Sequence, residues 1–457
     1  MRLAVILLFP FLGIFNFFRI QGYPEIGLLL LEGFIFSVLF IQFFFKPIIS
    51  KDGKLFYGMS KKMNPLESIH LKATGLFVLT IIIGLLRSIL SNFRDLTTGS
   101  AEIIIVISII IFIYCVVIDA IRKDYFESLI GLFGKSLFIL LTLNIFGSFL
   151  GINSGIAANY NTDLTNAYPF IDYRILFPFT VSGQILSIQA GIVVIIGIFQ
   201  LFQNNKIIVF ILSVAMIAAG FFILVGHGGR SAMLMLIIAL LILGLFNLVK
   251  TFLPILLLMS IFFPILVLID FGILVEYIFD FFGFNFSRNQ GDIASFSNRD
   301  IIFGIALLSF LVEGTLLNII FGFGSYGHVV SGISEAYAFL FEYSYANPYE
   351  AHVHNSALQI LMDYGIFGVL LFIFLTLNSL ALLKKTIIFK NKAGYQSNNI
   401  KLYTSLYVYL VLTSMTESTI TYLSFNVLSI FFILNLIIAF DCIDARFNKK
   451  DIISKKY

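Results

Sequence analysis

Charged residues are scarce in this 457-residue sequence. Asp, Glu, Lys and Arg make up 12% of the chain, whereas a soluble globular protein has roughly a quarter. Together with a mean hydropathy of +1.01, this scarcity excludes an ordinary soluble protein. Cys115 and Cys442 are the only cysteines, which excludes a disulfide framework or a zinc cluster. The net charge of +4 is distributed too unevenly for a nucleic-acid-binding surface, so we expect no nucleic-acid partner.

Long apolar runs fill the remainder of the sequence. Many reach about twenty residues, the length that an α-helix needs to cross roughly 30 Å of hydrocarbon. The pattern predicts an all-α polytopic membrane protein with about 12 transmembrane helices, in which residues 1–457 form a single integral membrane domain. No small-residue cleavage site follows the first run, so we expect it to be retained. The expected spans are 3–18, 26–45, 73–91, 102–121, 129–150, 181–203, 207–226, 232–249, 251–275, 364–383, 402–417 and 421–440.

Lysines determine the predicted orientation, because basic residues in short loops stay in the cytoplasm. They cluster in alternate loops and in the tail, which places both termini in the cytoplasm of a multi-pass inner-membrane protein. Two long loops then face outward, at 151–180 and 276–354. The apolar run 301–321 within the second loop is long enough to span. Because a span there would place the later lysines outside, we expect a re-entrant or interfacial helix broken at Glu313 and Gly314.

The basic residues expected on the outer face are all arginines. Guanidinium groups bind carboxylate and phosphate in a forked manner, so the set is suited to an anionic substrate. An equally open interpretation is that the positive-inside bias removes lysine from outer loops more strictly than arginine, so that the remaining arginines only anchor lipid headgroups. The members are Arg19, Arg94, Arg174, Arg230, Arg288 and Arg299.

His354 and Asn355 precede a long apolar run at its expected outer end. Asn355 is a favourable N-cap, and a helix running unbroken from Ser356 to Leu383 would be about 42 Å long. The dipole of its amino terminus favours a neutral imidazole, which can accept a proton from a sugar hydroxyl. A histidine that only anchors the helix end is the alternative. Gly365 and Gly368 permit close helix approach or a bend.

Two further constellations lie on the same expected face. Glu350, His352 and His354 alternate and could ligate a metal, but no other histidine or cysteine cluster supports this, and we expect neither metal nor cofactor. The glycine-rich turn 226–231 places Arg230 at the depth of a lipid-linked phosphate, although a hairpin turn with a snorkelling arginine would look the same. Arg299 almost immediately precedes the expected interfacial helix.

Three motifs follow one another along the chain: Arg230 followed after three residues by Leu234, Asn298-Arg299 followed by an apolar helix and Phe321-Gly-Phe-Gly324, and His354-Asn355 followed by Gly365 and Gly368. In this order and spacing they resemble the motifs of the O-antigen ligase and polymerase superfamily. The likeness covers roughly residues 170–385. It implies inverting, metal-independent transfer of glycans from undecaprenyl diphosphate on the outer face of the membrane. The matching positions Arg230, Arg299 and His354 would be catalytic.

The expected location on the outer face suggests further substrate-binding residues beside these three. Arg174 and Arg288 would bind diphosphate, and Asn355, His352 and Glu350 would lie beside the glycan. The expected substrate is a lipid-linked oligosaccharide within the membrane, and a chain-length regulator protein is a candidate partner. By analogy with the superfamily we favour a polymerase of polysaccharide repeat units in lipopolysaccharide or capsule biosynthesis. A ligase acting on lipid A core and, from another class, a transporter or flippase are the alternatives.

Overall fold

The computed structural model is an array of α-helices. It describes residues 1–21, 23–45, 63–91, 93, 96–122, 128–152, 175, 177–180, 182–203, 206–269, 298–342, 347–392 and 398–454. No strand occurs within these ranges. Arg174 and Arg288, and most of the loop 151–180, lie outside them, as does the stretch 270–297.

Each segment expected to span the membrane is helical over most of its described part. The first seven helices are α1 (Arg2–Ile20), α2 (Pro24–Phe45), α3 (Pro65–Leu90), α4 (Leu96–Arg122), α5 (Leu129–Phe149), α6 (Gly183–Gln203) and α7 (Ile207–His227). They are followed by α8 (Arg230–Gly244), α9 (Phe246–Val249), α10 (Leu253–Ile261) and α11 (Phe263–Leu268). Eight helices of the described chain are long and apolar enough to cross a membrane. The protein is therefore an all-α, multi-pass membrane protein, as predicted.

The part after residue 298 contains short helices and then three long ones. The short ones are α12 (Arg299–Glu313), α13 (Leu316–Phe321) and α14 (Gly327–Val330), with 3-10 turns at Ile333–Phe341 and Pro348–Glu350. The long ones are α15 (Ser356–Lys392), α16 (Asn398–Thr413) and α17 (Phe425–Ser454), the last preceded by a 3-10 turn at Tyr422–Ser424. The break between α12 and α13 falls at Gly314, where it was predicted, and Thr315 caps α13 by accepting from the amide of Asn318.

Polar contacts join α3, α15 and α17 at one end of the bundle. Asn64 and Glu67 form a capping box at the start of α3, and the same Glu67 carboxylate accepts from Arg446 of α17 at 2.8 Å. Lys390 of α15 lies 2.9 Å from Asp441 of α17. All these groups belong to the end of the bundle that we expect in the cytoplasm. His70 precedes the expected span 73–91 and yet lies buried within α3, because the capping box starts this helix before its apolar run.

The helix that begins at Ser356 bends at Gly365, one of the two possibilities that the glycines of this segment left open. Gly365 has φ +67° and ψ −166°, so α15 consists of two helical pieces joined by a kink. A Cβ on Gly365 would lie 2.3 Å from the carbonyl oxygen of Ile320, so only glycine lets the end of α13 approach this closely. The amides of Phe323 and Gly324 donate to the carbonyls of Met362 and Asp363 beside the kink. The glycine-rich segment after α13 is thereby fastened to α15.

Candidate active site

Asn355 caps α15 and places His354 at its amino terminus. The Asn355 Oδ1 accepts from the amide of Leu358 at 2.8 Å, while its Nδ2 donates to the carbonyl of Met415 at 2.9 Å. The predicted N-cap is therefore present, and it also holds the segment that follows α16. His354 itself has φ +51°, a left-handed conformation that is costly for a histidine and recurs at functional sites.

Glu417 lies between His354 and Arg299. Its Oε2 is 3.1 Å from His354 Nδ1, and its Oε1 is 3.1 Å from Arg299 Nη2. All three side chains are largely buried, with Glu417 only 6% exposed. A carboxylate thus bridges the imidazole and the guanidinium that the sequence motifs assigned separately to catalysis.

The bridge depends on a short polar turn that connects α16 to α17. Helix α16 ends at Thr413 rather than near 417 as predicted, so Glu417 lies in a turn. Ser356 fixes this turn: its Oγ donates to the Glu417 carbonyl at 2.9 Å and accepts from the amides of Thr419 and Ile420 at 2.8 and 3.0 Å. The first turn of α15 therefore positions the carboxylate as well as the imidazole.

Arg299 approaches Glu417 from α12, of which it is the first residue. Its Nη2 also donates to the carbonyl of Thr416 at 2.9 Å, so the guanidinium binds both the backbone and the carboxylate of the turn. Asn298, just before it, has φ +64°. The arginine motif and the histidine motif are 55 residues apart in sequence and meet at one side chain, Glu417.

His352 is part of the same cluster. Its ring centroid lies 4.1 Å from that of His354, and its Nδ1 accepts from the backbone amide of His354 at 3.1 Å. The ring of Phe341 stacks on His354 at 5.5 Å from the other direction. These contacts restrict the rotation of the His354 ring. Glu350 lies apart: it is exposed and accepts from Asn347 Nδ2 at 2.9 Å.

The electrostatics of the cluster favour a neutral imidazole. Burial, assisted by the nearby guanidinium of Arg299, lowers the pKa of His354 well below its ordinary 6.5, to about 3. Burial raises the pKa of Glu417, and Arg299 opposes this by stabilising the carboxylate. A carboxylate can only accept, so the 3.1 Å contact requires the proton on His354 Nδ1 and leaves the lone pair on Nε2. That nitrogen is then able to take a proton from a substrate.

Arg230 is the first residue of α8, after a tight turn in which Gly228 has φ +71°. Its side chain is half-buried. Helices α8 and α16 pack together, and Ser405 Oγ of α16 donates to the Ala239 carbonyl of α8 at 2.5 Å. Arg230 and Ser414 each lie nine residues from this contact, about 13 Å along the helix axes. The orientation predicted from the lysines runs α8 and α16 in opposite directions, and we therefore expect Arg230 at the end of the bundle where the Glu417 turn lies.

His352, His354 and Glu417 also offer three potential metal-ligating atoms within 4.8 Å of one another. This set differs from the alternating triad in the sequence, because Glu417 takes the place of Glu350. Arg299 donates to the same carboxylate at 3.1 Å, and a guanidinium so close to a ligand oxygen disfavours a cation. The donor set therefore fits an ion pair better than a metal, and metal independence stays a prediction.

Residues 215–373 match the family model described as O-Antigen ligase. The match confirms the resemblance to the O-antigen ligase and polymerase superfamily, and it includes Arg230, Arg299 and His354. Glu417 lies outside it. No curated protein sequence matches the chain. The superfamily thus supports a glycan-transferring membrane enzyme of the polymerase or ligase type.

Proposed function

We propose that the protein is a polysaccharide polymerase that joins undecaprenyl-diphosphate-linked repeat units on the outer face of the inner membrane. The observation that carries the proposal is the bridge by Glu417 between His354 and Arg299, inside a segment fastened by Ser356. It unites a proton acceptor and a fixed positive charge, the two elements that transfer from a diphosphate leaving group requires.

The proposed reaction is a single inverting displacement. An acceptor hydroxyl attacks the anomeric carbon opposite the diphosphate, forming the new glycosidic bond as the bond to the diphosphate oxygen breaks. The electron pair of that bond leaves with the diphosphate, and the hydroxyl proton passes to His354 Nε2. Glu417, bonded to Nδ1 at 3.1 Å, stabilises the imidazolium that forms.

Arginines stabilise the departing diphosphate in this proposal. Arg299 stands beside the imidazole, and Arg230 begins α8 at the same end of the bundle. A guanidinium matches phosphate oxygens in a fork, which a lysine does not. Arg174 and Arg288 remain proposed contributors to the diphosphate, while Asn355, His352 and Glu350 remain proposed for the glycan side.

Ligation to lipid A core is the second candidate, because the matching family model carries the ligase description. The two reactions share donor and base and differ only in the acceptor. Transport is supported less well. Transporters bind their substrates about halfway along their spans. The buried polar cluster of this protein lies instead where helix α15 begins.

The test is the length distribution of glycans made in cells that carry the His354→Ala variant. We expect long chains to vanish while single repeats remain, because acceptor activation is lost and repeat synthesis is not. Glu335→Ala, which removes an exposed carboxylate elsewhere in the outer segment, is the control for expression and membrane insertion. A normal ladder from His354→Ala at the normal membrane level would overturn the general-base proposal. Loss of single-repeat addition to lipid A core, without loss of polymer, would favour the ligase.

A further inference from the structure

The ring of Phe341 lies almost parallel to the imidazole of His354. The two ring centroids are 5.5 Å apart, and the ring planes differ by 26°. A cation within about 6 Å of an aromatic ring centroid is attracted by the electron density of the ring face. The stack therefore offers more than packing once the imidazole carries a charge.

The position of Phe341 is fixed by the turn that carries it. Phe341 ends the 3-10 turn Ile333–Phe341, and the ring of Tyr337, four residues earlier, lies edge-on against it at 6.3 Å. Tyr337 is fully buried, and its hydroxyl donates to the carbonyl of Ala351 at 2.8 Å. The turn is thereby fastened to the segment that leads into His354.

The same turn packs against the helix that carries Arg299. Tyr337 belongs to one buried apolar cluster with Phe303 of α12 and with Val353, and Phe341 packs against this cluster. Helix α12 begins at Arg299. The turn thus contacts both the element that presents the guanidinium and the segment that presents the imidazole, so the ring of Phe341 is held in register with the site.

Taking up a proton is unfavourable for His354 in these surroundings. Burial and the charge of Arg299 lower the pKa of its imidazole to about 3. Glu417 attracts the imidazolium, but its other oxygen pairs with Arg299, which divides its charge between two cations. The ring of His352 stays neutral, because burial lowers its pKa to about 3 as well. A contact that strengthens only when the imidazole is charged would lower the barrier to proton transfer.

We propose that Phe341 is a positioning residue of the glycosyl transfer, whose aromatic face holds the imidazole of His354 and stabilises the imidazolium that forms on it. The cation arises as the proton of the acceptor hydroxyl passes to Nε2, and it is attracted by the ring more strongly than the neutral imidazole is. An aliphatic side chain would exclude water from the imidazole but would lack this attraction. The inference rests on the proposed function, since it requires His354 to be the proton acceptor.

The experiment replaces Phe341 by monofluoro-, difluoro- and trifluorophenylalanine in the purified full-length protein. Fluorine withdraws electron density from the ring face and hardly changes the size of the ring, so the attraction for a cation falls stepwise while the packing is kept. The rate measured is the release of lipid diphosphate from lipid-linked repeats in the presence of lipid A core, because polymerase and ligase share this product. We expect kcat to fall with each fluorine, by about 2- to 30-fold in total, and KM to stay unchanged.

Phe339 is the matched control, because it lies in the same 3-10 turn and is 55% exposed. The same fluorinated residues at position 339 should leave kcat unchanged. Phe341→Leu keeps an apolar side chain beside the imidazole but removes the ring, so it should lower kcat at least as far as trifluorophenylalanine does. Unchanged melting temperatures along the fluorinated series show that the fold is kept.

The same series in a His354→Ala background shows through which group Phe341 acts. Fluorination there should not change the residual rate, and an effect equal to that in the parent would overturn the proposal. A rise in KM in place of the fall in kcat would also overturn it, because Phe341 would then contact the substrate directly. Loss of turnover in His354→Ala together with a constant kcat along the series would overturn only the role of Phe341. Normal turnover in His354→Ala would overturn the proposed reaction and this role with it.

Discussion

Glu417 determines which nitrogen of His354 can act as a base. Its carboxylate holds Nδ1 at 3.1 Å and pairs with Arg299 at the same distance on its other oxygen. Removing its charge while keeping its shape should therefore lower the rate rather than dismantle the site. For Glu417→Gln we expect kcat to fall by about two to four orders of magnitude, as when the orienting carboxylate of a histidine base is replaced.

The measurement is the rate of chain extension by purified protein on a lipid-linked repeat, with kcat and KM determined separately. Glu335→Gln, an exposed carboxylate outside the cluster, is the matched control. A role for Glu417 in packing alone would be indicated if Glu417→Gln lowered the melting temperature and left the kcat of the folded fraction unchanged.

The depressed pKa of His354 has a kinetic consequence. An ordinary histidine is protonated below about pH 6.5 and can no longer accept a proton. Burial and the charge of Arg299 hold the pKa of His354 far below that value, so its imidazole stays neutral as the pH falls from 7.5 to about 5. We expect kcat/KM to show no acid limb near pH 6.5. An apparent pKa close to 6.5 that disappears in Glu417→Gln would contradict this account of the site.

The residues of the site differ in how far the sequence could predict them. His354, Asn355 and Arg299 carry local signals: an N-cap before an apolar run, and an arginine before a helix. Glu417 had none, because it follows an apolar helix 63 residues after His354 and reaches the site only through the packing of α15 against the turn. The stretch 414–421 around it is polar and lies between two apolar helices, but a hydropathy window merges so short a stretch with its neighbours, and it does not single out Glu417.

At the scale of elements, the kink in α15 depends on Gly365. Alanine there would have to adopt φ +67° and place its Cβ 2.3 Å from the carbonyl oxygen of Ile320. The combination of φ +67° and ψ −166°, which essentially only glycine adopts, alone costs roughly 1–3 kcal/mol for a residue with a side chain. We expect Gly365→Ala to lower the melting temperature by several degrees and to reduce activity by displacing α13 from α15.

Gly75→Ala is the matched control, because Gly75 is helical and a Cβ there would meet nothing within 4 Å. It should leave the melting temperature unchanged or raise it slightly, since alanine is the better helix former. Equal melting temperatures for the two variants would show that the kink tolerates a side chain. The sequence predicted that Gly365 permits a bend, but the closeness of Ile320 is a tertiary fact that no local pattern contains.

At the scale of the whole molecule, hydropathy predicted where the helices lie along the chain. The assignment of each loop to the cytoplasmic or the outer face still rests on the distribution of lysines. The deciding segment is 301–321, which the structure divides into α12 and α13 at Gly314. Neither piece reaches the roughly twenty residues that crossing the hydrocarbon requires, since they have 15 and 6 residues. The break therefore supports two helices that remain on one side.

Cysteine labelling tests this arrangement in intact spheroplasts. After Cys115 and Cys442 are replaced by alanine, single cysteines are introduced at the exposed positions Glu342, Lys206 and Lys384. A membrane-impermeant maleimide should label Glu342→Cys directly and should label Lys206→Cys and Lys384→Cys only after permeabilisation. If 301–321 crossed the membrane as one span, labelling of Glu342→Cys would need permeabilisation and labelling of Lys384→Cys would not. Lys206→Cys is the control, because it precedes the segment and its labelling would be the same in either case. That reversal would place Arg299 and His354 on opposite sides, which their shared contact with Glu417 forbids.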